Sequence, residues 1–235
     1  MSDIVLAPAK LTVSLRVTGV RADGYHLIDA EMVALDLQDT LTFAPGDDLR
    51  FIDETSGFPI EGGPGNLVSK ALAAVGRAAS VTVDKRIPAG AGLGGGSADA
   101  AAVLRWAGVD DLAVAVRLGA DVCFCLRGGR ARVTGIGEEL EALPFEARTY
   151  TLLTPPFGCS SPAVYKAWDE LGGPVGENGN DLEPAALHLE PRLAEHRDRL
   201  GDATGETPRL AGSGSTWFVD GAHSVAGTTI VHTVP

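Results

Sequence analysis

Residues 87–101 read IPAGAGLGGGSADAA, a glycine-rich loop that runs into an alanine-rich segment. Glycine loses more backbone freedom on folding than any other residue, so a packed core has little use for so many glycines. A backbone that must come within hydrogen-bonding distance of a ligand does need them. Residues 97–106 are rich in alanine and are expected to form a helix, so the loop opens directly onto a helix N-terminus.

Two common glycine motifs do not fit this loop. Gly90, Gly92 and Gly95 have the G-x-G-x-x-G spacing of a dinucleotide site, and Asp110 lies about 20 residues beyond its start, as that motif requires. However, residues 84–86 in the preceding strand are all charged, unlike the apolar central strand of a doubly wound sheet. A Walker loop is excluded because no G-K-[ST] follows.

A phosphate site remains the favoured interpretation of the loop. Backbone N–H groups and the positive end of a helix dipole together bind anions. The alternative is a flexible linker, but linkers do not usually lead straight into an alanine-rich helix. The sequence therefore predicts phosphate binding at residues 88–98.

Composition limits the classes of partner. The chain has 235 residues, 45% hydrophobic and 21% charged, as in ordinary soluble globular proteins. Its formal net charge of −12 disfavours nucleic acid or an anionic membrane as the main partner. An anionic small molecule is not excluded, because it needs only local positive potential.

The cysteines and the N-terminal residues predict a cytoplasmic protein. The three cysteines include no C-x-x-C pair, which argues against a disulfide framework or a structural zinc site, and we expect buried, reduced thiols. The first residues, MSDIVLAPAK, lack the features of a signal peptide. No apolar run approaches the roughly 18 residues that would span a bilayer.

Strand and helix patterns are mixed without a regular βαβ repeat, which predicts an α+β fold. Residues 4–18 are expected to form two strand pieces around Pro8, and residues 65–79 a helix capped by Asn66. The apolar run VCFCL, residues 122–126, is interpreted as a strand, and residues 182–200 as one helical stretch. The composition changes at about Glu146, where a second strand-and-helix set begins.

Three segments together resemble the GHMP kinases, small-molecule kinases whose glycine loop wraps the phosphates of ATP. These are APAKLTVSL (residues 7–15), PAGAGLGGGSADAA (88–101) and LAGSGSTWF (210–218), which occur in the family's order. The resemblance implies a two-domain GHMP kinase fold, with an N-terminal α+β domain over residues 1–148 and a ferredoxin-like domain over residues 149–235. It also implies a left-handed βαβ unit in the first domain, an exception to the usual handedness, and the use of ATP and Mg²⁺.

Within the family, RADGYH at residues 21–26 is similar to members that phosphorylate a hydroxyl of a cytidine-diphosphate-linked methylerythritol. GNLVSKA, SSPAVYKAW and NDLEPAA support the same subgroup. The implied partners are therefore this small molecule and ATP, with no nucleic acid and no membrane. Two other functions stay open: a GHMP-type kinase for another small alcohol, and a nucleotide-binding paralogue without catalytic activity.

The resemblance also implies roles for individual residues. Asp121, in LGADV, matches the catalytic aspartate, and Lys10 matches the lysine beside it. A carboxylate can take the proton of a hydroxyl, and a lysine would keep that carboxylate ionised. The alternatives are a turn aspartate and a solvated strand lysine. The resemblance supplies no metal ligand.

The remaining implied site residues fall into two groups. The nucleotide group is Asn66, Lys85, Pro88, Ala89, Gly90, Ala91, Gly92, Leu93, Gly94, Gly95, Gly96, Ser97 and Ala98. The substrate group is Thr12, Tyr25, His26, Ser161 and Tyr165.

In the family the tyrosine at position 25 stacks on cytosine, the histidine reads its edge, and an aromatic at position 165 covers the other face. Several of these residues have a structural alternative. A helix cap explains Asn66 and Ser97 as well as ligand binding does, Tyr165 could be a half-buried core residue, and Asp99 could complement the helix dipole. Thr12 departs from the family, which usually has asparagine there; threonine keeps one donor and one acceptor on a shorter arm.

Overall fold

The structure, a computed structural model, describes residues 2–53 and 62–235. The strands are β1 (Asp3–Val20), β2 (His26–Ala44), β3 (Leu49–Asp53), β4 (Ser80–Lys85), β5 (Arg130–Gly135), β6 (Glu139–Ala142), β7 (Thr149–Leu153), β8 (Arg209–Leu210), β9 (Trp217–Asp220) and β10 (Thr229–Val234). The helices are α1 (Leu67–Ala74), α2 (Gly95–Ala107), α3 (Leu112–Leu118), α4 (Ala120–Arg127), α5 (Ser161–Glu170), α6 (Glu183–Leu189) and α7 (Leu193–Thr204).

A long hairpin of β1 and β2 forms the frame of the fold. The two strands pair antiparallel along nearly their whole length, from Asp3 opposite Phe43 to Val20 opposite His26. The register shifts between Pro8 and Lys10, so β1 is one strand with an irregularity and not the two pieces expected from the proline. Proline removes a ladder N–H, and an irregularity of this kind accommodates that loss without ending the strand.

The opposite edge of β2 joins three further strands into one sheet. Residues 28–33 of β2 pair with β5, residues 34 and 35 with β10, and residues 40–44 with β4. β3 lies parallel to β4, and the chain connects them through α1, which makes a βαβ unit. The left-handedness of this unit stays a prediction.

The strands after residue 148 follow the order β10-β7-β9-β8. Numbered from β7, this order is 4-1-3-2, the strand order of a ferredoxin-like sheet. Residues 221–228 connect β9 to β10 without a helix, so the second helix of that arrangement is missing here. Because β10 also pairs with β2, the sheet runs continuously across residues 148 and 149. The expected domain boundary at this point stays a prediction.

Two apolar cores flank the sheet. The first packs the alanine face of α2, including Ala98, Ala101 and Leu104, against β1 and β2. The second is centred on Trp217, with Val164 of α5 contributing to it. None of the helices in the described ranges is long and apolar enough to cross a membrane.

The structure corrects two further element predictions. Residues 122–126, interpreted as a strand, lie in α4, and all five are buried; a short, wholly apolar run has the same pattern in a buried helix as in a buried strand. The stretch 182–200 is two helices, because Pro191 interrupts the pattern. Burial of Cys123 and Cys125 raises their thiol pKa values to about 11 and about 12, and both thiols are free, as expected.

Candidate active site

A cavity of about 600 Å³ opens between the glycine loop, β1, the start of α4 and the start of α5. It brings together most of the residues singled out in the sequence. Those lining it are Lys10, Thr12, Asn66, Lys85, Pro88, Ala89, Gly90, Ala91, Gly92, Gly94, Gly95, Gly96, Ser97, Asp121, Ser161 and Tyr165. Leu93 and Ala98 lie behind the loop in the core, and Tyr25 and His26 lie outside the lining.

The loop ends at the N-terminus of α2, which faces this cavity. Gly94 is the N-cap, in the left-handed region at φ 72°, and no side chain caps the helix. The prediction that Ser97 could be the cap is therefore wrong: α2 begins at Gly95, two residues earlier than expected, and places Ser97 inside its first turn. A helix start left uncapped by side chains keeps its N–H groups available to an anion.

Glycine is required at two positions of the loop, because neighbouring atoms leave no room there for a Cβ atom. A Cβ atom on Gly94 would lie 2.7 Å from Cγ of Lys10, and one on Gly92 would lie 2.6 Å from the backbone oxygens of Ala211 and Gly214. Both also have positive φ. Gly94 therefore makes room for the Lys10 side chain, and Gly92 lets the loop pack on residues 211–214.

Backbone hydrogen bonds hold the loop from three sides. Lys10 N donates to Leu93 O at 3.0 Å, Thr216 N donates to Ala91 O at 3.1 Å, and Cys159 N donates to Gly90 O at 3.3 Å. β1, the segment before β9 and the segment before α5 thus all contact the loop. This arrangement explains why the three signature segments, far apart in sequence, form a single site.

Lys10 and Asp121 lie together at the floor of the cavity. Lys10 Nζ is 3.3 Å from Asp121 Oδ2, and the Lys10 side chain is buried whereas that of Asp121 is 37% exposed. Asp121 lies in the first turn of α4, whose dipole also favours its charge. Lys10 Nζ donates to Thr12 Oγ1 at 3.0 Å, so the unusual threonine orients the lysine.

Behind the loop, Lys85 forms a buried cluster with two aspartates. Its ammonium donates to Asp39 Oδ2 and, at 2.7 Å, to Asp99 Oδ2. The other oxygen of Asp39 accepts from Arg86 N at 2.6 Å and Ile87 N at 2.8 Å. Lys85 thus links β2, α2 and the start of the loop; its contact with ATP stays a prediction, because both recorded partners are carboxylates of the protein.

The charges of this cluster are coupled. Burial alone would lower the pKa of Lys85, but the negative charges of Asp99 and Asp39 together raise it. Burial raises the pKa of Asp99 to about 7, because the opposing effect of Lys85 is smaller and Asp39 adds a second negative charge. Asp99 Oδ1 is buried and has no hydrogen-bond partner among the described residues. The expectation that Asp99 complements the helix dipole is wrong, because the first turn of α2 contains no acidic residue and Asp99 contacts Lys85 instead.

Aromatic and hydroxyl groups form the opposite wall. Burial and the negative charge of Asp121 raise the pKa of Tyr165 above its usual value, which keeps its hydroxyl protonated. The ring of Tyr165 lies 4.7 Å from that of His26. Ser161 Oγ and Ser213 Oγ share a hydrogen bond of 2.6 Å. Tyr25 is 58% exposed and contacts the Arg21 guanidinium instead of the cavity.

Several residues of the site were not identified from the sequence. Asp39 gave no signal, because a single aspartate in a strand resembles any solvated residue. Asn180, within the quoted NDLEPAA, donates to the backbone oxygens of Leu210 at 2.9 Å and Gly212 at 2.6 Å, and so supports residues 212–214 of the cavity wall. That motif could have identified it.

Known proteins share both sequence and structure with this chain. The family described as "GHMP kinases N terminal domain" matches residues 66–129, which include the glycine loop and α2 to α4. The curated 4-diphosphocytidyl-2-C-methyl-D-erythritol kinase of Paracoccus denitrificans is 39% identical over 231 residues, covering 90% of this chain and 84% of its own. The chain belongs to the 4-diphosphocytidyl-2-C-methyl-D-erythritol kinase family.

Other members of this kinase family agree. The kinase of Cereibacter sphaeroides strain ATCC 17025 is 36% identical over 243 residues, covering 90% of this chain and 87% of its own. A crystal structure of 4-(cytidine 5'-diphospho)-2C-methyl-D-erythritol kinase has a TM-score of 0.76 at 31% identity and covers 99% of both chains. The mevalonate kinase of Methanococcus jannaschii, at 12% identity and a TM-score of 0.61, shares the fold. The expected α+β GHMP kinase fold and the kinase class are thereby confirmed.

Proposed function

We propose that this protein transfers the γ-phosphoryl group of ATP to one hydroxyl of 4-diphosphocytidyl-2-C-methyl-D-erythritol, in the cytoplasmic non-mevalonate pathway to isoprenoids. The observation that carries the proposal is the Lys10–Asp121 pair, 3.3 Å apart, in a cavity that also receives the uncapped N-terminus of α2. A kinase for a small alcohol needs both parts: an anion site for phosphates and a base for the hydroxyl.

The phosphates of ATP are assigned to the loop between Gly90 and Ser97. Its backbone approaches the cavity without intervening side chains, and the dipole of α2 favours negative charge at this point. Asn66, also on the cavity wall, is assigned to the nucleoside end of ATP. Its side chain accepts from Val68 N at 2.9 Å, so it caps α1 whatever else it binds.

Mg²⁺ fits this site as a cation carried mainly by ATP. The described residues contain no group of three or more His, Cys, Asp or Glu side chains that could hold a metal. Mg²⁺ commonly needs only one or two protein ligands besides nucleotide phosphates and water, and the Ser97 hydroxyl on the cavity wall is suited to this role. The ion would neutralise charge on the transferring phosphate.

Asp121 is assigned the role of general base. Its carboxylate is exposed to the cavity and takes the proton of the substrate hydroxyl, whose oxygen then bonds to the γ-phosphorus while the bond to the β–γ bridging oxygen breaks and ADP leaves. The ammonium of Lys10 lies beside both the carboxylate and the developing negative charge. The hydrogen bond from Lys10 Nζ to Thr12 holds the ammonium group in this position.

The substrate is assigned to the wall formed by Tyr165, Ser161 and Thr12. Tyr165 is assigned to a face of the cytosine, and His26, whose ring lies 4.7 Å from that of Tyr165, is assigned to the edge of the base. Tyr25 would reach the base from the turn between β1 and β2 only when substrate is bound, since it does not line the cavity here.

The test is to mix purified protein with ATP, Mg²⁺ and 4-diphosphocytidyl-2-C-methyl-D-erythritol and to follow ADP release together with the substrate mass. A mass gain of one phosphate on the substrate is expected. No gain from a protein that binds ATP would contradict the proposal, and turnover of a different alcohol in the same assay would redirect it.

A further inference from the structure

His26 and Asp169 form a pair between two distant parts of the chain. His26 begins β2 and Asp169 lies near the end of α5, yet His26 Nε2 is 2.8 Å from Asp169 Oδ1. The His26 side chain is only 10% exposed, held between the ring of Tyr165 at 4.7 Å and the edge of Trp168 at 5.6 Å. Tyr165 lines the cavity, so the imidazole is in contact with a residue of the cavity wall, although His26 is not itself part of the lining.

The contact determines which nitrogen of the imidazole carries the proton. An ionised carboxylate can only accept hydrogen bonds, so Nε2 must be the donor to Asp169. In a neutral imidazole the other nitrogen, Nδ1, is then an acceptor. Across the described part of the chain, no hydrogen bond is recorded for His26 Nδ1, which leaves this acceptor available to a ligand.

We propose that Asp169 is a positioning residue that sets the tautomer of His26, so that Nδ1 accepts a hydrogen bond from the exocyclic amino group of the substrate's cytosine. This inference rests on the proposed function. Cytosine presents an amino donor at position 4, whereas uracil presents a carbonyl acceptor at the same place. An acceptor at Nδ1 attracts the first and repels the second, so Asp169 contributes to base specificity without touching the substrate.

The same helix provides a matched control. Glu170 is the adjacent acid, but it pairs with Lys166 at 3.6 Å on an exposed surface and has no recorded contact with His26. Removing the carboxylate of Glu170 changes the net charge by the same amount as removing that of Asp169. Any effect confined to Asp169→Ala therefore comes from the contact with His26.

The first experiment reads the tautomer directly in the protein without ligands. Side-chain ¹⁵N NMR at pH 8 distinguishes a protonated from an unprotonated ring nitrogen, and a His26→Gln variant identifies the His26 signals among the five histidines. We expect a protonated Nε2 and an unprotonated Nδ1 in the wild type and in Glu170→Ala. In Asp169→Ala we expect a mixture of both tautomers. A protonated Nδ1 in the wild type would overturn the proposal.

The second experiment measures specificity. Asp169→Ala should raise the KM for the cytidine substrate by about two- to fivefold, because the competent tautomer and ring orientation are then only fractionally populated, while kcat and the KM for ATP stay at the wild-type values. The ratio of kcat/KM for the cytidine substrate over its uridine analogue should fall by a similar factor. Glu170→Ala should match the wild type in all of these values.

The outcomes separate this inference from the proposed function. If the wild type does not phosphorylate the cytidine substrate, the function is wrong, whereas the NMR result still decides the tautomer. If the cytidine substrate turns over but Asp169→Ala keeps the wild-type tautomer and specificity ratio, the role of Asp169 is wrong. A lower apparent kcat with both KM values and the specificity ratio unchanged would mean that Asp169 affects only the folded fraction, and the proposal would be wrong.

Discussion

Lys10 and Asp121, the pair proposed to act in catalysis, consist of a buried cation and a partly exposed anion. Lys10 is held by Thr12 and by the packing of Gly94 against its side chain, whereas Asp121 reaches the cavity from the start of α4. The ammonium and the carboxylate are 3.3 Å apart, so both charged groups can face one substrate hydroxyl. The recorded contact of Thr12 is therefore with the lysine.

Replacement of Asp121 by asparagine tests the base. Asp121→Asn should lower kcat by about 10²- to 10⁴-fold, because an amide cannot accept the hydroxyl proton. The Kd for ATP should stay within about twofold, since the phosphates bind elsewhere. Steady-state kinetics and calorimetric titration with ATP measure the two quantities. Asp110→Asn, at an exposed aspartate outside the cavity, is the control. Near-wild-type turnover of Asp121→Asn would refute the assignment.

Asp99 predicts a specific dependence of stability on pH. Its pKa in the folded protein is raised to about 7 from an ordinary value of 3.8, chiefly by burial. The folded state therefore binds more protons than the unfolded state between these values, and the free energy of unfolding falls as the pH rises through 7. Between pH 5 and pH 8 the wild type should lose about 2 kcal/mol more than Asp99→Asn.

Urea unfolding of both proteins at the two pH values measures this difference. The amide of Asp99→Asn cannot ionise, so its stability should vary less over the range. Parallel pH profiles for the two proteins would show that Asp99 is ionised throughout and that the cluster keeps its negative charge.

At the scale of elements, the loop between β4 and α2 depends on glycine for two separate reasons. Gly94 ends the loop at positive φ and leaves space for Lys10, whereas Gly92 approaches the backbone of residues 211–214. No side chain can occupy either position without moving a neighbour. The same loop geometry thus exposes the N-terminus of α2 to the cavity and leaves room for the Lys10 side chain.

An alanine at Gly94 tests this coupling. Gly94→Ala should lower the free energy of unfolding by about 1–2 kcal/mol, because of its positive φ, and should displace Lys10. We expect kcat to fall at least about tenfold, the effect of a small misplacement of a reacting group. Gly65→Ala is the matched control, because a Cβ there meets no atom within 4 Å and its φ is not in the left-handed region. Equal kinetics for the two variants would contradict the coupling.

At the scale of the whole molecule, β10 connects the two strand sets. Residues 229–232 pair with β7, and Thr233 and Val234 pair with β2. Thr233 Oγ1 donates to Glu146 O at 2.8 Å and accepts from Arg148 N at 2.9 Å. Residues 146–148, which would separate the two expected domains, are thus hydrogen-bonded to β10, the strand that pairs with both strand sets.

Thr233→Val tests the strength of this joint. The change keeps the side-chain shape but removes all hydrogen bonds of the buried hydroxyl, so the free energy of unfolding should fall by about 1–3 kcal/mol. Thr229→Val, on the same strand but exposed, should change it by less than about 0.5 kcal/mol. Urea denaturation followed by circular dichroism measures both. A loss no larger than in the control would show that the joint adds little stability.

The local chemistry of this protein was determined by its sequence alone. Patterns among neighbouring residues were enough to predict four features: the glycine-rich loop, the alanine-rich helix α2, the Asn66 cap and the strand β2. The signature segments also indicated Lys10 and Asp121. Local pattern failed at residues 122–126, because burial on every side removes the periodicity that separates a helix from a strand.

Only the tertiary structure decided which distant side chains meet. Asp39 reaches Lys85 from 46 residues away, and Asp169 reaches His26 from 143 residues away. No periodicity or motif encodes such pairs, because they result from strand register and helix packing. The glycine-rich loop was therefore predictable from the sequence, whereas the buried charges behind it and the contact between Asp169 and His26 depend on how the whole sheet folds.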